Sequence, residues 1–198
     1  AWTRYSRRPR DYVELTRRTI MANTTFSGPV ISKNGFITTG PGATKAINST
    51  GLGTAGLPLT VNAHAGRILI SQDADGIYTL PSIKANANSA VAGSTDYNNP
   101  NNLGATFMFY IDTLATDVQI QTDGVDKFTG AAMIAVDDGA KKAFFPAAAN
   151  DVLSMNGTTT GGIVGSVITI TALEEAQYLV HNTLILGSGA ISTPFSDT

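Results

Sequence analysis

The sequence predicts a mainly β protein, an antiparallel β-barrel or β-sandwich with an extended N-terminal arm. Short runs of β-branched and aromatic residues recur from residue 66 onward at spacings of about 8–12 residues, with Asp-Gly, Asn-Gly or Pro between them. No segment keeps the 3.6-residue period of a long amphipathic helix. Charged residues make up only 14% of the chain, against about 25% in an ordinary soluble domain. Neutral surfaces lose little hydration when they meet, so this composition favours a subunit of an assembly.

Three regions follow from the composition along the chain. Residues 1–22 form a basic N-terminal arm, 23–60 an extended docking segment, and 61–198 a β domain. A chain of 198 residues has the length of one domain with such an arm. The docking segment is rich in Gly, Thr, Asn and Pro, and we expect it to lie extended on another surface, such as a neighbouring subunit.

The β domain begins with strands that end at clear turn signals. The strand predicted at 104–111 is apolar on both faces, which indicates burial on both. Val118 and Ile120 alternate with glutamines and are expected to point inward. Residues 84–102 read as an exposed loop. The predicted strands lie at 66–70, 77–80, 104–111, 118–121, 128–136, 143–145, 152–155, 167–171, 178–180 and 184–186.

Two further segments concern the connections between strands. Asn156-Gly157 is the strongest short hairpin signal in the chain. Residues 172–176 fit either one helical turn or the connection of a hairpin.

The charge is divided unevenly along the chain. Residues 1–20 carry six arginines against Asp11 and Glu14, which gives +4, whereas the other seven basic and thirteen acidic residues give −6. The arm also holds Trp2 and two tyrosines, and Trp, Tyr and Arg are enriched where interfaces bind most tightly. The arm either docks on a partner or remains a solvated tail. If it docks, its predicted contact residues are Trp2, Tyr5, Arg7, Arg8, Arg10, Tyr12, Arg17 and Arg18.

Nucleic acid is not the expected partner of the arm. Arginines and aromatics can stack on single-stranded bases. The acidic remainder of the chain would, however, repel phosphate, so direct nucleic-acid binding is not predicted.

The search for chemical sites predicts no enzyme, no metal and no cofactor. The chain has no cysteine, which excludes disulfides, thiolate ligands and a thiol nucleophile. His64 and His181 are its two histidines, and each is interpreted as a surface or interface residue. Acidic turns at 73–76, 123–126 and 137–139 could attract calcium, but Asp and Gly in β-turns explain them equally well. Nucleophile-elbow, zinc-protease and phosphate-loop patterns do not occur.

No apolar run reaches the roughly 20 residues of a membrane span, so no membrane partner is predicted.

Several segments resemble one class of virus protein. Residues 21–30, at the end of the arm, fit the start of such proteins, and the resemblance in the β domain covers 66–198. The segments that carry it are 75–81 (DGIYTLP), 104–110 (GATFMFY), 117–120 (DVQI), 151–162 (DVLSMNGTTTGG), 165–170 (GSVITI) and 187–196 (GSGAISTPFS).

These segments resemble the small virion structural proteins of tailed bacteriophages, of the capsid cement or head-decoration type. The resemblance implies a non-enzymatic protein that binds the assembled major capsid protein on the outer surface of the capsid, often as a homotrimer at threefold positions. Such a protein stabilises neighbouring capsomers against internal pressure. Residues 1–20 lie outside the resemblance.

Two other functions are compatible with the same strand pattern. A phage tail, fibre or receptor-binding module would use exposed loops such as 84–102 to contact a glycan or a host protein. A secreted carbohydrate-active enzyme of β fold is the third hypothesis, but neither a secretion signal nor an aromatic groove supports it.

Overall fold

Thirteen strands and two short helices make up about half of the chain that the computed structural model describes, namely residues 44–83, 102–137 and 139–198. The first half contains β1 (Thr44–Ile47), a 3-10 turn (Gly53–Ala55), β2 (Leu57–Pro58), α1 (Val61–His64), β3 (Ile68–Ser71), β4 (Ile77–Thr79), β5 (Thr106–Ile111) and β6 (Val118–Gln121). The second half contains β7 (Lys127–Gly130), β8 (Ala132–Val136), β9 (Lys141–Phe144), β10 (Val152–Met155), β11 (Val167–Glu174), β12 (Gln177–Gly187) and β13 (Phe195–Ser196).

The strands form two sheets. The large sheet has eight strands in the order β1-β3-β5-β11-β12-β8-β9, with β7 also paired to β12. The small sheet has five strands in the order β13-β10-β6-β4-β2. One cluster of buried apolar side chains draws on both sheets. The predicted mainly β, sandwich-like fold is therefore confirmed.

The strand pairing is mixed, whereas the sequence predicted antiparallel sheets. Six of the eleven strand pairs among the described residues are parallel. Four of the six arise from the path of the first six strands, which alternate between the sheets. Strands β1, β3 and β5 add in parallel to the large sheet, while β2, β4 and β6 add in parallel to the small one. The chain thus winds as a coil through its first six strands. The other two parallel pairs join β12 to β7 and β8, and the remaining five pairs are antiparallel.

Strand β5 shows how the large sheet faces the core. Phe107, Phe109 and Ile111 are fully buried, whereas Met108 and Tyr110, which alternate with them, are only half-buried. The prediction that this strand is buried on both faces is therefore wrong, because nothing in the described part of the chain covers its second face completely.

On the small sheet the expected alternation holds. Val118 and Ile120 of β6 are fully buried, as the sequence predicted, and the glutamines between them are half-buried.

Two tyrosine hydroxyls cross between the sheets. Tyr78 on β4 of the small sheet lies 2.8 Å from the hydroxyl of Ser71 on β3 of the large sheet. Tyr178 on β12 of the large sheet donates to the carbonyl of Pro81, just after β4, at 2.5 Å. Both rings are fully buried, and burial raises the pKa of Tyr78 to about 12. These bonds satisfy polar atoms in the core and fix one sheet relative to the other.

Three connections differ from the sequence reading. The run 128–136 is two strands, β7 and β8. The runs at 178–180 and 184–186 are one strand, β12, with an irregular register against β11 and a left-handed residue, Asn182, at φ 46°. Asn156-Gly157 is not a hairpin turn, because β10 before it belongs to the small sheet and β11 after it to the large sheet.

The connection at 172–176, left open between a helical turn and a hairpin, is the hairpin between β11 and β12. Ala176 takes a left-handed conformation there, with φ 60°.

The N-terminal regions are described only in part. The arm, 1–22, and the first part of the docking segment, 23–43, lie outside the described residues. The described part of that segment, 44–60, contributes β1 to the large sheet and β2 to the small sheet. Neither described helix is long and apolar enough to cross a membrane.

Candidate assembly surface

The outer face of the large sheet carries a line of apolar side chains that we call the outer row. Paired residues on adjacent strands point to the same face of a sheet, so a chain of paired residues forms a continuous row across the strands. The outer row crosses seven neighbouring strands. Leu184 and Met133 are neighbours in this row, because they directly precede the paired residues Ile185 and Ile134. They are 49% and 43% exposed. In spatial order, the row consists of Ala46, Ile70, Tyr110, Val167, Leu184, Met133 and Ala143.

A second row lies beside the first on the same face. In spatial order it consists of Thr44, Ile68, Met108, Thr169 and His181. His181 Nε2 lies 2.9 Å from Thr171 Oγ1, which in turn lies 2.9 Å from Thr106 Oγ1. Thr169 is only 3% exposed, and its Oγ1 has no hydrogen-bond partner among the described residues. Burying a hydroxyl without a hydrogen-bond partner costs free energy of folding. The second row thus has a polar atom at its centre.

Neither row contains Lys, Arg, Asp or Glu. Elsewhere the described residues are strongly acidic, with five Lys and Arg against eleven Asp and Glu, a formal net charge of −6. The two rows thus form an uncharged, partly apolar strip on an acidic body, with Lys141 on the same face beside Ala143 at one edge of the sheet.

Sequence reasoning did not identify this surface, although one signal for it was present. The apolar residues on both faces of the β5 segment were attributed to double burial. Met108 and Tyr110 instead belong to the outer face.

The arm residues predicted to make contacts lie outside the described part of the chain. Their role stays a prediction. They are Trp2, Tyr5, Arg7, Arg8, Arg10, Tyr12, Arg17 and Arg18.

The two histidines have different environments. His64 was predicted at a surface or an interface, but it is buried within its own chain: it is 6% exposed, and its Nδ1 accepts a hydrogen bond from the Thr60 backbone amide at 2.9 Å. Burial, with Lys45 nearby, lowers the pKa of His64, so the neutral ring serves to close the first turn of α1. His181 is half-buried on the outer face, in agreement with a surface or interface position.

The first acidic turn has a structural role. Asp73 is buried and accepts hydrogen bonds from the backbone and hydroxyl of Ser49 and from the Thr50 hydroxyl, the last at 2.8 Å. Burial alone would raise the pKa of Asp73, but these hydrogen bonds outweigh it and hold the pKa below its ordinary value. Asp73 therefore ties the segment after β1 to the turn between β3 and β4.

The second acidic turn also binds backbone. Asp123 Oδ1 accepts from the amides of Val125 and Asp126 at 3.0 Å, which closes the turn. Asp126 Oδ2 accepts from the Ile83 amide at 2.7 Å. Burial raises the pKa of Asp126, with this hydrogen bond opposing the shift. Asp126 thus holds the chain where it leaves the small sheet at Ile83.

No metal-binding arrangement is found within 44–83, 102–137 and 139–198, where no three His, Asp or Glu side chains converge suitably. Among the described residues, one close ion pair joins Lys127 to Asp151 at 2.7 Å. Asp151 also accepts a hydrogen bond from the Thr198 amide, so it holds the last residues of the chain against β7.

Comparisons with protein-family models, with curated proteins and with solved structures found no match to this chain.

Proposed function

We propose that this chain is a capsid cement, or decoration, protein of a tailed phage. It binds the assembled major capsid protein on the outside of the head and stabilises the junctions between capsomers, as a homotrimer. The observation that carries the proposal is the uncharged, partly apolar strip on the outer face of the large sheet of an otherwise acidic body. Large exposed apolar patches on soluble proteins are commonly interaction sites.

The mechanism is multivalent attachment rather than chemistry. Once one copy of an oligomer has bound, the linked copies meet their sites at a high effective concentration, so weak contacts add to a strong attachment. The body, which includes the described part of the docking segment, 44–60, supplies the contacts between copies, while the basic arm, 1–22, reaches the capsid.

Removal of the arm tests the capsid contact. Heads of the encoding phage, stripped of this protein, would be mixed with the full chain or with a chain lacking residues 1–20, and binding measured by co-sedimentation. We expect the shortened chain to bind at least tenfold more weakly, equivalent to about 1.4 kcal/mol. Unchanged affinity would show that the arm is not the attachment.

Two matched variants separate charge from aromatic contact in the arm. One replaces the six arginines with glutamine, and the other replaces Trp2, Tyr5 and Tyr12 with alanine. The arginine variant should differ most from the full chain at low salt, because exposed charge pairs weaken as ionic strength rises. The affinity lost by the aromatic variant should be the same at low and high salt.

Electron microscopy of decorated particles distinguishes the alternative of a tail or fibre module. Density over the capsomer junctions supports the proposal. Density confined to the tail would overturn it in favour of that alternative.

A further inference from the structure

We propose that the outer row of the large sheet is the surface on which copies of this chain bind one another. This inference rests on the self-association in the proposed function and names the surface responsible.

Charge favours a second copy as the occupant. The described body carries −6, and exposed aspartates such as Asp75, Asp112 and Asp117 lie in the connections at one end of the sandwich. Two copies that met through these connections would bring like charges together, which is unfavourable. Across the outer row, which contains no charged residue, two copies can approach without any pair of aspartates. The one lysine beside the row, Lys141, lies at the edge strand β9, away from the centre of the row.

The size of the face is sufficient for a specific contact. Seven strands spaced about 4.8 Å apart, plus side chains at the ends, span about 34 Å. Three alternate residues along β5, with their side chains, cover about 18 Å. The product is about 600 Å² for each copy, or about 1,200 Å² for a pair, which clears the roughly 1,000 Å² expected of a biological interface.

The chemistry of the face also suits a copy of itself. The half of the row formed by Ala46, Ile70 and Tyr110 and the half formed by Val167, Leu184 and Met133 are both apolar. About a twofold axis, either half can pack on the same half of a second copy. About a threefold axis, one half can pack on the other half of the neighbouring copy.

Beside the row, Thr169 Oγ1 is buried and has no partner within the part of the chain that the structure describes. An incoming hydroxyl or backbone group from a second copy, admitted by movement of the neighbouring Met108 or His181 side chain, would satisfy this atom.

Sedimentation equilibrium of the full chain from about 1 to 100 µM is the first test. The expected mass is two or three times 20.6 kDa. A chain that remains monomeric throughout this range would overturn the inference. Capsid binding by such a monomer would still leave the proposed function standing, so the two failures are distinguishable.

The second test places a charge in the row. Leu184→Lys, at a position 49% exposed, should fold normally. It should raise the dissociation constant of the oligomer at least tenfold, because the ammonium would have to be desolvated in an apolar contact. Leu114→Lys is the matched control: Leu114 is 51% exposed and lies in the connection between β5 and β6. Equal effects of the two substitutions, or no effect of the first, would refute the assignment.

A third measurement needs no substitution. Met133 is 43% exposed, whereas Met155 is fully buried in the core. Brief peroxide oxidation followed by peptide mass spectrometry should show Met133 protected at concentrations where the oligomer forms and oxidised after dilution, with Met155 slow in both. Equal oxidation of Met133 in oligomer and monomer would place the interface elsewhere.

Discussion

The hydroxyl pair between Tyr78 and Ser71 gives a direct test of how the two sheets are held together. Both residues are fully buried, and their oxygens lie 2.8 Å apart. Tyr78→Phe leaves the Ser71 hydroxyl without this partner, and Ser71→Ala does the same to the tyrosine. We expect each single substitution to lower the free energy of unfolding by about 1–3 kcal/mol, the cost of an unsatisfied buried polar group.

The double variant decides whether the bond itself is responsible. It removes both hydroxyls together, so its loss should fall short of the sum of the single losses by about 1 kcal/mol or more. Urea unfolding followed by circular dichroism gives the free energy of unfolding of all four proteins. Thermal unfolding is an independent check, because each kcal/mol lost should lower Tm by about 2–4 °C in a domain of this size. Strictly additive losses would refute the account, since they would mean that the two hydroxyls act independently.

Three further predictions test other features. Gly157→Ala should destabilise the chain by well over 1 kcal/mol, because the new Cβ would overlap the Ala115 carbonyl oxygen. Gly189→Ala is the control: its φ is nearly the same but the space around it is open, so it should cost only about 1 kcal/mol. Equal losses in thermal unfolding would contradict the steric explanation. Asp73→Asn should cost about 2 kcal/mol at pH 7. Its pKa in the folded chain lies below the ordinary 3.8, so the carboxylate stabilises the fold above that pH, and the difference from the parent chain should shrink as the pH falls below it; a difference that stays constant to pH 2.5 would argue against this role. Thr169→Val removes an unpartnered buried hydroxyl and should leave the dissociated chain equally stable or up to about 1 kcal/mol more stable; a clear loss in urea unfolding would mean that the hydroxyl has a partner.

The strands were predictable because their signals are local. Val118 and Ile120 alternate with polar residues, and the alternation alone identifies the inward face. Strand order was not predictable in the same way. The parallel pairing of β1, β3 and β5 depends on residues 20 or more positions apart, and each connection passes through the other sheet.

The outer face was missed for a related physical reason. An apolar residue such as Met108 or Tyr110 looks the same in a sequence whether it faces the core of its own domain or a partner. Only the fold, by placing Phe107 and Phe109 inward, shows which residues remain outside. Asn156-Gly157 misled in another way, because a tight turn can join two sheets as readily as two strands of one hairpin.

The coil formed by the first strands has a consequence for protein engineering. The chain leaves the small sheet at Ile83, whose amide is held by Asp126, and the Asn102 side chain donates to the Ser82 carbonyl at 2.9 Å just before the chain enters the large sheet. Both ends of the intervening stretch, 84–101, are therefore anchored by contacts that do not depend on its length. We expect a foreign peptide or small domain inserted between these anchors to leave the two anchoring hydrogen bonds in place, so this connection is a position at which display of cargo on the protein can be tested.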